Sequence, residues 1–253
     1  MTQRLDKALV DAGLASTRSQ ALQLIKEGVV FSNGKQMTKA STKVSEEGLE
    51  VRKDVIYVGR GAHKIEGALK EYGISVQGKI VADVGASTGG FTDYVLKNGA
   101  TKVYAIDVGH DQLAQSLVED ERVVNLEGTN IRHELELSEL CDLAVVDLSF
   151  ISLKLTLPSI MKLVHNKGEV MALVKPQFEI GKEKLGKNGI VKSQEDREFV
   201  LSDLYKFCEE HEFFIKGAMR SPITGTTGNV EYFFYFDKNL ESHGIDETDL
   251  TGL

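Results

Sequence analysis

The sequence predicts an α/β protein in two parts: a small N-terminal α+β domain, then a larger domain on a seven-stranded, Rossmann-like sheet. Three observations carry this. Apolar runs at Lys79–Asp83, Lys102–Asp107, Arg122–Leu126, Asp142–Asp147 and Glu169–Val174 alternate with helical patterns, the rhythm of parallel strands joined by crossover helices. The rhythm then changes, because Phe213–Met219 and Val230–Phe236 read as two strands joined by a Gly/Pro/Thr loop, an antiparallel ending. Finally, residues 1–43 carry seven cations (Arg4, Lys7, Arg18, Lys26, Lys35, Lys39, Lys43) against three anions (Asp6, Asp11, Glu27). That net of +4 leaves −12 for the rest of a chain whose formal charge is −8, so a basic head precedes an acidic body.

In the head, Leu5, Leu9 and Val10 share a helical face that Gly13 ends. Ser16-Thr17 can cap a second helix running through Ala21, Leu22, Leu24 and Ile25 to Gly28. Val29-Val30-Phe31 reads as a strand, and Asn33-Gly34 as a tight hairpin. The expected division is a head at 1–58, a linker at 59–64, a body at 65–240 and an acidic, poorly ordered tail at 241–253.

The body opens with its most informative stretch, Asp83-Val84-Gly85-Ala86-Ser87-Thr88-Gly89-Gly90-Phe91, followed by a helix over Thr92–Lys97. A strand ending in a glycine-rich turn lets a nucleotide-like ligand approach backbone closely. The spacing is not the G-x-G-x-x-G of dinucleotide enzymes, and the leading Asp83 suits a cationic amine better than a pyrophosphate. S-adenosylmethionine (SAM) fits: its amino-acid end carries an ammonium. Asp107, ending the second strand, is placed to accept ribose hydroxyls, and Glu127 to Asn130 could meet an adenine edge. Five β/α units with an antiparallel ending match a SAM-dependent methyltransferase fold better than an NAD-binding domain.

Four polar residues sit at or inside apolar elements: Lys64, Asp147, Lys175 and Glu231. Pro176 holds Lys175 extended. In a parallel sheet the carboxyl ends of the strands share one edge, so Asp147 and Lys175 converge there on the methyl donor. A ribose 2′-hydroxyl must lose its proton as it attacks and needs a base in hydrogen-bond reach. A lysine can serve when a second cation crowds it and carboxylates fix its place, with Lys64 the natural crowding cation.

The head motifs Arg4-Leu5-Asp6, Gly13-Leu14, Thr17-Arg18, Leu24-Ile25, Gly28 and Val30 to Lys35 closely resemble the S4 RNA-binding domain. That resemblance makes Arg4, Arg18, Lys26 and Lys35 candidates for phosphate contacts, which position a protein without reading sequence. The order Lys64, Asp147, Lys175, Glu231 resembles the FtsJ-like ribose 2′-O-methyltransferases. With the S4 head in front, the chain resembles the TlyA family, often labelled haemolysin A, through Gly85 to Asp93, Thr129 to Arg132, Val146 to Leu153, Leu173 to Glu179, Ser221 to Ile223 and Gly228 to Glu231. The resemblance implies SAM-dependent 2′-O-methylation of a cytidine in ribosomal RNA. It also implies a tetrad of Lys64, Asp147, Lys175 and Glu231, and a cofactor site over Asp83, Gly85, Ala86, Ser87, Thr88, Gly89, Gly90, Phe91, Asp107 and Asp147. The family usually shows S-R-G-G-x-K before the first lysine, whereas this chain has Gly59-Arg60-Gly61-Ala62-His63-Lys64. Arg60, in the expected linker, is a further RNA-contact candidate.

Composition excludes several classes. The body's acidity argues against a protein that coats nucleic acid non-specifically. Cys141 and Cys208 form no CxxC and no His cluster accompanies them, so neither a disulfide framework nor a zinc site is expected. No apolar run reaches the roughly 20 residues of a membrane span and no signal-peptide pattern opens the chain, so a cytoplasmic address is expected. Two rival functions remain: an RNA-binding ribosome-assembly factor with an inactive methyltransferase fold, and a membrane-active haemolysin. Ile180–Lys192, rich in glycine and lysine, reads as a mobile loop beside Lys175, either closing over RNA or merely connecting.

Overall fold

The structure, a computed structural model, describes residues 2–15, 17–51, 57–133, 135–239 and 241–253. Ser16, half of the expected cap, lies outside them. Contacts divide the chain into two units, Met1–Arg60 and Gly61–Leu253.

The first unit runs β1 (Gln3–Arg4), α1 (Leu5–Asp11), α2 (Arg18–Glu27), β2 (Val30–Ser32), β3 (Lys35–Gln36), β4 (Lys43–Val44) and β5 (Leu49–Val51). The Thr17 hydroxyl accepts from the Gln20 N–H at the start of α2, and Gly28, left-handed at φ 76, ends it. β2 pairs antiparallel with β3 and β5, β1 with β4. Asn33 and Gly34, both at positive φ, make the β2–β3 hairpin. Leu5, Ala8, Leu9, Ala21, Leu24, Ile25 and Val30 form this unit's own core.

The second unit runs α3 (Ala62–Glu71), β6 (Ile80–Val84), α4 (Gly90–Lys97), β7 (Lys102–Ile106), α5 (Gln115–Val118), β8 (Val123–Leu126), β9 (Cys141–Val146), α6 (Leu157–Leu163), β10 (Val164–Val174), α7 (Pro176–Glu179), α8 (Gln194–Glu210), β11 (Ile215–Arg220) and β12 (Tyr232–Asp237). Its seven strands lie in the order β11-β12-β10-β9-β6-β7-β8. β8, β7, β6, β9 and β10 are mutually parallel, while β12 is antiparallel to both β10 and β11. The last strand therefore slots between the fifth and sixth, and runs in reverse. Central strands read as nearly unbroken apolar runs because helices cover both faces; Leu143 to Val146 and Val170 to Val174 are all buried.

Three expectations change. The linker does not extend to residue 64, because Ala62, His63 and Lys64 already form the first turn of α3. Ala62 is fully buried there, and alanine favours helix where glycine would not, which accounts for one departure from the family pattern. The acidic tail is packed, not poorly ordered. Ile245, Leu250 and Leu253 join the main core, the Tyr205 hydroxyl donates to the Ile245 carbonyl, and the Ser202 hydroxyl donates to Glu247. Few apolar residues suffice when each packs against the main core. Lastly, Glu231 precedes β12 instead of lying inside it.

Candidate active site

Strand register gathers the site. Val84, Ile106 and Val146 are paired neighbours at the ends of β6, β7 and β9, so Gly85, Asp107 and Asp147 leave the sheet together. The antiparallel pairing of Val174 with Tyr232 places the next residue of one strand, Lys175, opposite the preceding residue of the other, Glu231. A reversed last strand thus begins where the parallel strands end. Lys64 arrives from the first turn of α3.

The four side chains meet. Lys175 Nζ lies 2.5 Å from Asp147 Oδ1 and donates to Ser149 Oγ at 2.8 Å. Lys64 Nζ lies 2.8 Å from Glu231 Oε2 and 3.6 Å from Asp147 Oδ2. Asp147 therefore bridges the two ammonium groups, so Lys64 reaches Lys175 through a carboxylate, which refines the expected direct crowding. Glu231 is only 3% exposed and Lys175 is buried. Two cations and two anions balance, the condition under which buried charges are tolerated. A Cβ on Gly225 would come within 2.4 Å of Glu231 Oε1, so a larger residue there would displace that carboxylate.

The glycine-rich turn departs from expectation in detail. Gly85, at φ 89, is dictated by the protein's own backbone, since a Cβ would meet the Asp147 carbonyl oxygen at 2.6 Å; at Gly89 a Cβ would meet Leu113 and Leu117. The open backbone is that of Ser87 and Thr88, both exposed, with Ser87 at φ 48. Asp107 braces this turn, accepting from the Ser87 N–H at 2.8 Å and the Gly109 N–H at 2.7 Å. A carboxylate has about four acceptor positions, so capacity for ribose hydroxyls remains. Ala86, Gly90 and Phe91 are buried beneath the turn.

Asp83 also lies beneath the turn, fully buried, and not on its open face. Its Oδ2 accepts from the Thr92 N–H at 2.8 Å and the Thr92 hydroxyl at 2.6 Å, while Oδ1 is buried with no hydrogen-bond partner among the described residues. Burial pushes this carboxyl up to about 7. Glu127 is not free for an adenine edge: it accepts from the N–H groups of Leu113, Gln112 and Asp111, which hold it down at about 2.

Several residues escaped the sequence reading although they lie inside its motifs. Phe150 stands 91% exposed at φ 64, its ring 5.0 Å from that of Phe178, which in turn lies 5.9 Å from Lys175 Nζ. Half-buried Glu179 accepts from the Ser152 hydroxyl at 2.6 Å and the Leu153 N–H at 2.8 Å, tying the Phe150 loop to α7. Gln177 reaches Glu231 Oε1 at 3.5 Å. A large aromatic in the Ser149-Phe150-Ile151-Ser152 stretch just after a strand end was the available signal for Phe150. The 180–192 segment is anchored at its end: buried Asn229 accepts from the Val191 N–H and donates to the Gly189 carbonyl, two residues before Glu231. Of the head candidates, Arg4, Arg18, Lys26 and Lys35 are surface residues, and Arg60 ends the first unit. No group of His, Cys, Asp and Glu suited to a metal occurs among the described residues, and Cys141 and Cys208 are free and buried.

A doubly wound sheet whose last strand is inserted in reverse, with a cofactor-type turn after its first strand, defines a methyltransferase fold. The chain belongs to the FtsJ-like methyltransferase family, which matches residues 57–238, and an S4 domain matches residues 3–51. Its relatives include proteins named TlyA. It is 41% identical to the 16S/23S rRNA (cytidine-2'-O)-methyltransferase TlyA of Mycobacterium tuberculosis, over 96% of this chain and 94% of that one. It is 40% identical to hemolysin A of Brachyspira hyodysenteriae, over 92% and 99% of the two chains. A solved structure described as a hemolysin from Streptococcus thermophilus superposes with a TM-score of 0.75 at 39% identity, covering 99% of this chain and 93% of that one.

Proposed function

We propose that this enzyme transfers the methyl group of SAM to the ribose 2′-hydroxyl of a cytidine in ribosomal RNA, with the S4 head docking the RNA. The observation that carries the reading is the convergence of Lys64, Asp147, Lys175 and Glu231 at the same sheet edge as the Gly85–Gly90 turn. The substrate class comes from the relatives: the M. tuberculosis protein is named for cytidine 2′-O-methylation of 16S/23S rRNA and one from Campylobacter jejuni for that of 23S rRNA.

The cofactor fits the residues present. The exposed Ser87–Thr88 backbone offers a polar cradle, Asp107 retains acceptor capacity, and the unpartnered Oδ1 of Asp83 supplies negative potential beneath the turn for a cationic amine. SAM, when bound, supplies an electrophilic methyl on a sulfonium centre. In its neutral form Lys175 accepts the hydroxyl proton at Nζ, which Asp147 and Ser149 hold in place. Lys64, held by Glu231 and Asp147, stabilises negative charge developing on the ribose oxygen. Phe150 offers a face on which the target base can stack, fixing the ribose over Lys175. Positioning of this kind supplies much of the rate.

The test is transfer of labelled methyl from SAM to unmodified ribosomal subunits and to free ribosomal RNA. Ribose-linked label at a cytidine is expected, with Lys175→Ala lowering the rate by about 10²–10⁴-fold while SAM still binds. SAM binding without turnover on either subunit would favour the assembly-factor reading. As for the haemolysin names, no helix among the described residues is long and apolar enough to cross a membrane.

A further inference from the structure

Among the described residues of the head, Asp6 is the one acid that the fold buries completely, yet it contacts two surface arginines. Its Oδ1 accepts from Arg4 Nε at 3.0 Å and its Oδ2 from Arg4 Nη2 at 3.2 Å, a two-pronged contact. The same Oδ2 accepts from Arg18 Nη2 at 2.5 Å. The two guanidinium groups come from different elements, since Arg4 precedes α1 and Arg18 begins α2. They remain 52% and 63% exposed, and two of the five N–H donors of Arg4 and one of those of Arg18 engage the carboxylate.

We propose that Asp6 is a positioning residue for RNA: it fixes Arg4 and Arg18 as one preformed, forked phosphate site. This rests on the reading of the head as the RNA-docking unit. The physical case is one of entropy against charge. Counting charges alone, an anion beside two phosphate-binding cations weakens binding. A free arginine, however, is among the side chains with most rotamer freedom to lose, and ordering it before the ligand arrives removes that cost from binding. The two arginines also hold the Asp6 carboxyl down at about 2, Arg4 contributing most, so the clamp stays ionised at any working pH. For two immobilised side chains the benefit is roughly tenfold in affinity.

Asp6→Asn discriminates, because it raises the head's net charge by one while releasing the clamp. The measurement is binding of the full chain to purified ribosomal subunits across a salt series, beside Arg4→Ala and Arg18→Ala. Weaker binding by Asp6→Asn, roughly tenfold, is expected with the salt slope retained, since both cations are still present. The alanine variants should lose affinity and also flatten the slope by about one each. Should Asp6→Asn disturb the head's folding, Arg4→Lys with Arg18→Lys keeps both charges but abolishes the fork, and the same tenfold loss is expected. Equal or tighter binding by Asp6→Asn or by the lysine pair, with weakened alanine variants, would overturn the proposal. Alanine variants that bind like the parent would remove the head-docking reading itself.

Discussion

The head and the body each bury carboxylates, and they spend them differently. In the head, buried Asp6 holds Arg4 and Arg18 with their outer edges in water. In the body, buried Glu231 and partly covered Asp147 hold Lys64 and Lys175, cations that are themselves nearly out of water. A third acid, Asp83, is fully buried and pairs with no cation among the described residues. Exposed cations can regain hydration when their acid is removed; enclosed ones cannot. Under the proposed function, the contrast separates a surface suited to a polyanion from an enclosed site suited to moving a proton.

The pH consequences run in opposite directions. The Asp6 carboxyl lies below its ordinary value, so its contribution to stability is present above about pH 4 and fades as pH falls toward about 2. The Asp83 carboxyl lies at about 7, so the native state holds a proton that the unfolded chain has released. Its contribution therefore declines as pH rises from about 4 to about 7.

The strongest way to break the comparison is to truncate one enclosed acid. Glu231→Ala leaves the Lys64 ammonium with Asp147, at 3.6 Å, as its one acidic partner among the described residues, and a loss of about 3–5 kcal/mol is expected in denaturant unfolding. Asp6→Asn, whose arginines return to water, should cost far less; equal costs would erase the distinction. Salt comes next. Raising it from 50 to 200 mM should weaken RNA binding on the order of 10²-fold if about four head cations meet phosphates, and leave single-turnover transfer in the preformed complex nearly unchanged. A smaller effect concerns Asp83. A bound ammonium favours its ionised form, so SAM affinity should rise with pH up to about 7, by at most tenfold per unit. Calorimetric titration with Asp83→Asn should give a flatter profile, and an unchanged slope would remove Asp83 from cofactor binding. The smallest effect is at the buried first turn of α3, where Ala62→Gly, the family's usual residue, should lower thermal stability by about 1 kcal/mol.

Much of this was legible in the chain. Apolar runs bounded by turn residues located the strands of the main sheet, because a strand buried on both faces has few other compositions open to it. β10, however, begins at Val164, well before the expected Glu169, and its partly exposed start has no such constraint. Thr17, Gly28 and Asn33-Gly34 marked their own boundaries, since capping and positive φ are local requirements. Less visible were residues defined by partners distant in sequence. Asp6 reads as an ordinary first-turn acid until α2 brings Arg18 against it. Phe150 carries no distinguishing mark of exposure in the sequence until its backbone turns left-handed and leaves it in solvent.

The sequence by itself determined the two-part architecture, the alternation of strands and helices, and the identity of the four residues at the site, because local periodicity and turn chemistry are written residue by residue. Tertiary structure alone decided that β12 runs backward between β10 and β11, and so delivers Glu231 opposite Lys175. It also decided that Asp83 lies under the turn, and that the acidic tail packs on α8. Strand order, burial and ion pairing depend on which distant segments meet, and no local pattern encodes that.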